Sequence, residues 1–149
     1  MRIGLIYTSI SGNTNELALL IYEQFMQRNV NVDLYNIEQF DCNRLDQFDA
    51  FVVGTYTWGN GEIPNEMIPL YREFEKVDRR YMITGVFGTG DSFYPHYCGA
   101  VDMFRDLLKV KTELSVTLKV ELLPQEQDLT KCKKFVDLFM DRLENLIMH

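Results

Sequence analysis

The sequence predicts an α/β fold, a doubly wound parallel sheet of five strands with helices on both faces. Two patterns predict it. Short apolar runs alternate with stretches of helical periodicity along the whole chain, and the runs are largely continuous, as in strands buried on both faces. A further pattern says where function lies. The connections 8–14, 55–63 and 88–99, each after a strand end, are rich in Gly, Ser, Thr, Asn and aromatic residues. In open α/β sheets ligands sit outside the carboxyl ends of the strands.

In chain order, residues 3–7 (IGLIY) read as a buried strand. Leu17, Leu20, Ile21 and Phe25 then recur at helical spacing, in a helix ending near Arg28 and Asn29. Residues 30–37 alternate, with Val32 and Leu34 opposite Asp33 and Tyr35, which marks a second strand. Residues 50–54 (AFVVG) are another continuous apolar run, and Pro64 begins a helix carrying Met67, Ile68, Tyr71 and Phe74. The next strand is 81–87, followed by a helix with Val101, Phe104, Leu107 and Leu108. Residues 116–123 make the last strand. The final helix buries Cys132, Phe135, Val136, Phe139, Leu143 and Leu146. No linker, repeat or low-complexity stretch interrupts this order, so residues 1–149 are expected to form one domain.

A chain of 149 residues with 46% hydrophobic and 25% charged residues has the balance of a globular protein. It is long enough to build a core without disulfide or metal. The formal charge of -7 repels a phosphate backbone, which excludes nucleic acid as a partner and favours a basic protein face. Cys42, Cys98 and Cys132 form no C-x-x-C pair, which suits reduced thiols and gives no four-ligand zinc site. The chain enters an apolar run directly after Met1-Arg2, with no leader pattern and no stretch long enough to span a bilayer, so a cytoplasmic location is expected.

The first loop runs Thr8-Ser9-Ile10-Ser11-Gly12-Asn13-Thr14 from strand into helix. Hydroxyls and a glycine at a helix N-terminus make a phosphate cradle from free N–H groups and the positive end of the dipole. It lacks the lysine of a triphosphate loop and the G-x-G-x-x-G of a dinucleotide loop, and no cation lies between Tyr7 and Glu16. A single terminal phosphate is the best match; a hydroxyl-capped helix start without ligand is the alternative. The second loop, Thr55-Tyr56-Thr57-Trp58-Gly59-Asn60-Gly61-Glu62, holds the one tryptophan, whose flat face suits an aromatic ring. The third, residues 88–99, offers Thr89, Gly90, Tyr94 and Tyr97 beside an acceptor, Asp91. Each aromatic alone is explained by local packing. With the phosphate loop they specify a planar heteroaromatic carrying a phosphorylated tail.

At these loops the sequence resembles the flavodoxin family. Residues 7–14 match its phosphate loop, with Ile10 where threonine is frequent. Thr57-Trp58-Gly59 matches its first flavin-flanking loop, and Gly90-Asp91-Ser92, Tyr94 and Tyr97-Cys98-Gly99 match its second. The motifs occur in order along the whole chain, and the last strand leads to the final helix without an inserted loop, as in the short-chain members. The resemblance implies the strand order 2-1-3-4-5 with FMN at the switch point, an architecture for which flavodoxin is itself the standard example. It implies that Ser9, Ser11, Asn13 and Thr14, with the amides of Ile10 and Gly12, hold the FMN phosphate. Trp58 and Tyr94 would flank the isoalloxazine. Tyr56, Asn60 and Cys98 fall in the same loops, and Asp91 with backbone groups of 89–98 would bond the pyrimidine edge. The Gly59 carbonyl would meet the flavin N5–H formed on reduction, by rotation of the Gly59–Asn60 peptide in a type II′ turn, so that a side chain at Gly59 would cost energy only after reduction.

The implied role is low-potential one-electron transfer between a flavodoxin or ferredoxin reductase and an acceptor oxidoreductase, by a monomer without substrate turnover of its own. Flanking aromatic rings disfavour an anionic reduced flavin, and Glu62, Glu66, Asp91 and Asp102 would add negative charge. An FMN-dependent reductase and a flavodoxin-like activator of a metal-dependent reductase are the alternative functions. His96 is expected on the solvent side of its loop, and Cys98 as a space-filling thiol.

Overall fold

The computed structural model describes residues 1–148, and side chains through residue 146. Five strands, β1 (Ile3–Tyr7), β2 (Val32–Asn36), β3 (Ala50–Thr55), β4 (Ile83–Gly90) and β5 (Glu113–Glu121), form one sheet in the order β2-β1-β3-β4-β5. Every neighbouring pair is parallel. The register sets Tyr7 beside both Asn36 and Gly54, and Thr55 beside Gly88, so the carboxyl ends finish together.

Side chains alternate across the sheet and feed two separate cores. On one face Leu5, Val52 and Phe87 pack against Leu17, Ile21 and Phe25 of α1 (Asn13–Gln27) and Phe135, Val136 and Phe139 of α4 (Asp128–Met148). On the other, Ile6, Val53 and Val86 meet Leu70 and Phe74 of α2 (Ile68–Lys76) and Val101, Phe104 and Leu108 of α3 (Gly99–Lys111). Phenylalanine rings make edge-on pairs in both layers, Phe25–Phe139 at 5.6 Å and Phe48–Phe51 at 5.4 Å. Such a pair adds about 1 kcal/mol beyond area burial. Gly54 gives Phe87 its place, since a Cβ there would lie 2.3 Å from the ring.

Several boundaries differ from the sequence expectation, each for a local reason. The helix expected from Pro64 opens as a 3-10 turn, Asn65–Met67, and becomes α-helical only at Ile68. Pro69 has no N–H and its ring clashes with the carbonyl four residues back, so it must stand in a first turn. Between β2 and β3 two unforeseen 3-10 turns, Ile37–Gln39 and Cys42–Gln47, are capped by Asn36 and Asp41 accepting the N–H groups of Glu38 and Asn43. β4 starts at Ile83, after a turn in which the Met82 N–H bonds the Arg79 carbonyl at 2.9 Å, and runs to Gly90. β5 starts at Glu113 and stops at Glu121, and Ser115 is the extra residue of a bulge opposite Thr84/Gly85, which breaks the side-chain alternation ahead of Val116. The Ser115 hydroxyl donates to the Thr84 carbonyl at 2.7 Å. Leu146, expected in the core, is 50% exposed.

At the amino-terminal end of the sheet the largest fully buried side chain is a cation, Arg79. Its guanidinium donates to Asp46 Oδ1 at 2.7 Å, the Glu73 carbonyl at 2.9 Å and Glu73 Oε1 at 3.3 Å, and its N–H closes onto the Lys111 carbonyl at 2.7 Å. One side chain thus joins the 3-10 turn at 42–47 to α2, and its backbone joins both to the end of α3. The guanidinium bond holds the Asp46 carboxyl below its usual range. Replacing Arg79 with methionine should cost about 1–3 kcal/mol in urea denaturation, because the Glu73 carbonyl and carboxylate lose their donor while the exposed Asp46 turns to water. Because the Asp46 pKa is lowered on folding, its contribution is fully present above the ordinary aspartate value of about 3.9 and is lost as pH falls through the lower native value. Stability should therefore drop more steeply below about pH 4 in the wild type than in Asp46→Asn.

Candidate functional site

The connections β1–α1, β3–α2 and β4–α3 converge at the carboxyl edge of β1, β3 and β4, where two adjoining cavities of about 270 and 330 Å³ open. Thr57, Gly90 and Asp91 line both.

The first connection bends into α1 through Gly12, whose φ of +92° is a left-handed conformation with no atom close enough to fill the missing Cβ. The Gly12 N–H donates to Ser9 Oγ at 3.0 Å, which leaves the Ser9 hydroxyl hydrogen free to point elsewhere. The Glu16 N–H takes the Gly12 carbonyl at 2.9 Å as the first helical bond, so the amides before it face the loop. Ile10, Ser11 and Asn13 line the first cavity. Thr14 is buried, and its hydroxyl lies 2.7 Å from that of Thr89 on β4. That pair ties the first loop to the third.

The second connection is a small hairpin. Trp58 and Glu62 exchange backbone bonds at 2.8 and 2.7 Å, leaving Gly59-Asn60-Gly61 as the loop. The type II′ turn expected at Gly59-Asn60 belongs to the peptide rotated after reduction; in the present conformation the loop is the three-residue one that leaves Asn60-Gly61 inside it. Gly59 already has a φ of +52°, so a side chain there is strained in this state and not only after reduction. Trp58 is 51% exposed and lines the first cavity with Tyr56 and Thr57, while Gly59 lines the second. Behind the hairpin, Glu66 Oε2 accepts the hydroxyls of Thr8 at 2.8 Å and Tyr56 at 2.9 Å. Burial pushes the Glu66 carboxyl up, but its own backbone N–H and these hydroxyls outweigh it and hold it below the usual range. Burial and the bond to Glu66 raise the Tyr56 phenol well above normal.

The third connection packs against the second backbone to backbone. A Cβ on Gly99 would lie 2.7 Å from the Gly61 Cα, and one on Gly61 only 2.6 Å from the His96 Cβ. The Ala100 N–H donates to Thr57 Oγ1 at 3.2 Å across the same seam. Gly90, Asp91, Tyr94, His96 and Cys98 line the second cavity. Cys98 stands at the start of α3 with φ +53°; burial, foremost, lifts its thiol to about 11, which keeps it unreactive.

Of the residues singled out from sequence, Ser9, Gly12, Thr14, Asn60 and Tyr97 do not line either cavity. Tyr97 faces a neighbouring cleft with Lys119, whose ammonium sits 5.9 Å from its ring centroid. Asp102 is not the free charge expected of it: one of its oxygens meets Lys119 at 2.7 Å and Arg105 at 2.8 Å. One wall residue was missed, Leu122, and His96, expected on the solvent side of its loop, is exposed there while also lining the second cavity. Leu122 follows β5 with φ +53° and donates its N–H to the Gly90 carbonyl at 2.8 Å, a placement that apolar periodicity does not signal. Among the described residues no group of three or more His, Cys, Asp or Glu side chains is placed to hold a metal ion. No helix among them is long and apolar enough to cross a membrane.

The geometry agrees with comparisons to known proteins. Residues 5–135 match the flavodoxin family profile. The chain is 33% identical over 137 residues to a probable flavodoxin 1 of Bacillus subtilis, covering 90% of this chain and 87% of that one. It is 32% identical over 130 residues to a flavodoxin of Maridesulfovibrio salexigens, covering 84% and 89%. The crystal structure of oxidised flavodoxin 2 from Bacillus cereus superposes with a TM-score of 0.88 at 35% identity, over 95% of this chain and 99% of that one.

The seam between the second and third loops yields a test. Gly99→Ala must push the Gly61 backbone away, so ligand affinity should fall by roughly tenfold or more, about 1.4 kcal/mol. Gly12→Ala, where space is open and only φ is strained, should cost about 1–2 kcal/mol of stability in thermal denaturation without separating the loops.

Proposed function

The chain belongs to the flavodoxin family, and on that premise we propose that it is a one-electron carrier. It binds FMN without a covalent link, accepts electrons from a basic-faced reductase and passes them to an acceptor oxidoreductase, turning over no substrate of its own. The observation that carries this reading is the pairing of a cation-free loop of amides and hydroxyls with two adjoining cavities, one walled by Trp58 and the other by Tyr94.

The residues present fit that cofactor. In this reading the Ser9 hydroxyl, with its lone pair engaged by Gly12, donates outward to the phosphate together with Ser11, Asn13 and the first amides of α1. Neutral donors and the helix dipole meet a dianion without a lysine. The exposed faces of Trp58 and Tyr94 are free to stack on a flat ring. Close backbone contact at Gly90 leaves the amides of the third loop near the cleft, suited to a ring edge bearing carbonyl and N–H groups. FMN supplies the single-electron chemistry; the chain binds it, orients it and shields it from water. Asp91 contributes negative charge on the wall that both cavities share and Glu62 on the adjoining hairpin, whereas Asp102 is offset by its two cations.

Two measurements test this. Apoprotein titrated with FMN and with riboflavin should bind FMN far more tightly, and Ser9→Ala should weaken FMN by about 1.5–3 kcal/mol while leaving riboflavin unchanged. Equal affinities would remove the phosphate assignment. Reduction of the holoprotein by an NADPH-dependent flavodoxin reductase should slow steeply between about 20 and 300 mM salt, because screening weakens the steering of a basic face by a chain of -7 charge. A rate indifferent to salt would leave the acidic surface without a docking role.

A further inference from the structure

Phe93 is the most exposed large apolar residue among the described side chains, at 93%. Leaving a phenylalanine in water forgoes the free energy its burial would contribute. The exposure is built in. The Phe93 N–H donates to Asp91 Oδ1 at 2.9 Å and the Tyr94 N–H to the Asp91 carbonyl at 3.1 Å, which closes a turn with Phe93 at its third position. Next to it, the Ser92 hydroxyl donates to a Glu121 carboxylate oxygen, fastening the turn to the end of β5. The ring is thus held outward by hydrogen bonds on both sides, beside the half-exposed Tyr94 at the mouth of the second cavity.

We propose that Phe93 is the apolar anchor by which this protein docks a redox partner, inserting into an apolar pocket rimmed by lysine or arginine on the partner oxidoreductase. This rests on the carrier reading above and names the surface chemistry that the partner must present. Aromatic side chains seated in pockets dominate interface energies, and an anchor held in its bound geometry has less entropy to lose. The surroundings decide the partner. Asp91 and Glu121 flank the turn, and neither forms an ion pair among the described residues. A second copy would bring this acidic face against itself, and an anionic membrane would be repelled by it; a basic rim is attracted. Charge then sets the rate of encounter, and Phe93 sets how long the complex lasts.

The test uses FMN-loaded protein and an NADPH-dependent flavodoxin reductase. Calorimetric binding is measured between the oxidised proteins, and FMN affinity and thermal stability are measured separately. Phe93→Ser should weaken reductase binding about tenfold at every ionic strength, with the salt slope unchanged, and Phe93→Leu should recover most of the loss. FMN affinity and thermal stability should stay at wild-type values. Unaltered reductase affinity in Phe93→Ser overturns the anchor while leaving the carrier reading intact, provided that the wild type binds and is reduced. A loss that vanishes at high salt assigns the effect to charge and also overturns it. Sedimentation showing a wild-type dimer that Phe93→Ser dissolves, or binding to anionic vesicles that it abolishes, gives the ring a different occupant. A wild type that the reductase neither binds nor reduces overturns both readings.

Discussion

The site depends on one close approach. The loops after β3 and β4 meet through Gly61 and Gly99, where neither position has room for a Cβ. With no side chains between them, Thr57 on one loop can accept the Ala100 N–H on the other, and the two cavities share Thr57, Gly90 and Asp91 as a common wall. A single methyl at this seam would spread the wall and everything mounted on it. The hairpin Trp58–Glu62 on one side and the turn at Asp91–Tyr94 on the other would then lose their relative positions.

Around that seam, hydroxyl groups do the joining. Thr14 bonds Thr89 across the loops, and Thr8 and Tyr56 share one oxygen of Glu66. Both arrangements lie against the carboxyl edge of the sheet, where apolar side chains give way to the loops. A hydroxyl pair there meets its hydrogen-bonding need internally, and among the described residues no buried side-chain polar atom is left without a partner. The opposite end of the sheet uses a different device, the buried Arg79 bound to two acids and two chain segments. The buried cation and the cavities thus lie at opposite ends of the strands, so the loops around the cavities can vary without disturbing Arg79 and its partners.

The strands and the two cores were legible because buried strands in a parallel sheet must be continuously apolar and the helices must carry one apolar stripe. The loops that hold the cavities were legible from composition alone. Less visible were features set by single atoms. Pro69 moves a helix start through its missing N–H, and Ser115, bulged out of the alternation, hides the first residues of β5 from a reading by period. The seam glycines carry no chemistry of their own, so Gly61 and Gly99 matter only once the loops are seen in contact. Leu146 fits the helical period of α4 yet lies where the helix has run past the sheet, and periodicity does not report where a core ends.

Charge at the cleft is decided by pairing rather than by count. A carboxylate about 10 Å from a developing negative charge opposes it by roughly 1.7 kcal/mol at an effective dielectric of 20. Asp102 loses most of that influence because Lys119 and Arg105 both meet the same oxygen. Asp91 is turned to a backbone N–H, a dipole that leaves its net charge in place, and Glu62 meets no cation among the described residues. The acids that would act on a ring bound there are the ones that meet no cation among the described residues. Asp91 lines both cavities and Glu62 lies on the hairpin beside Gly59, so a basic partner arriving at this edge would meet both. A docked cation would cancel the charge that opposes reduction, so binding a partner and easing electron entry are coupled by the same carboxylates.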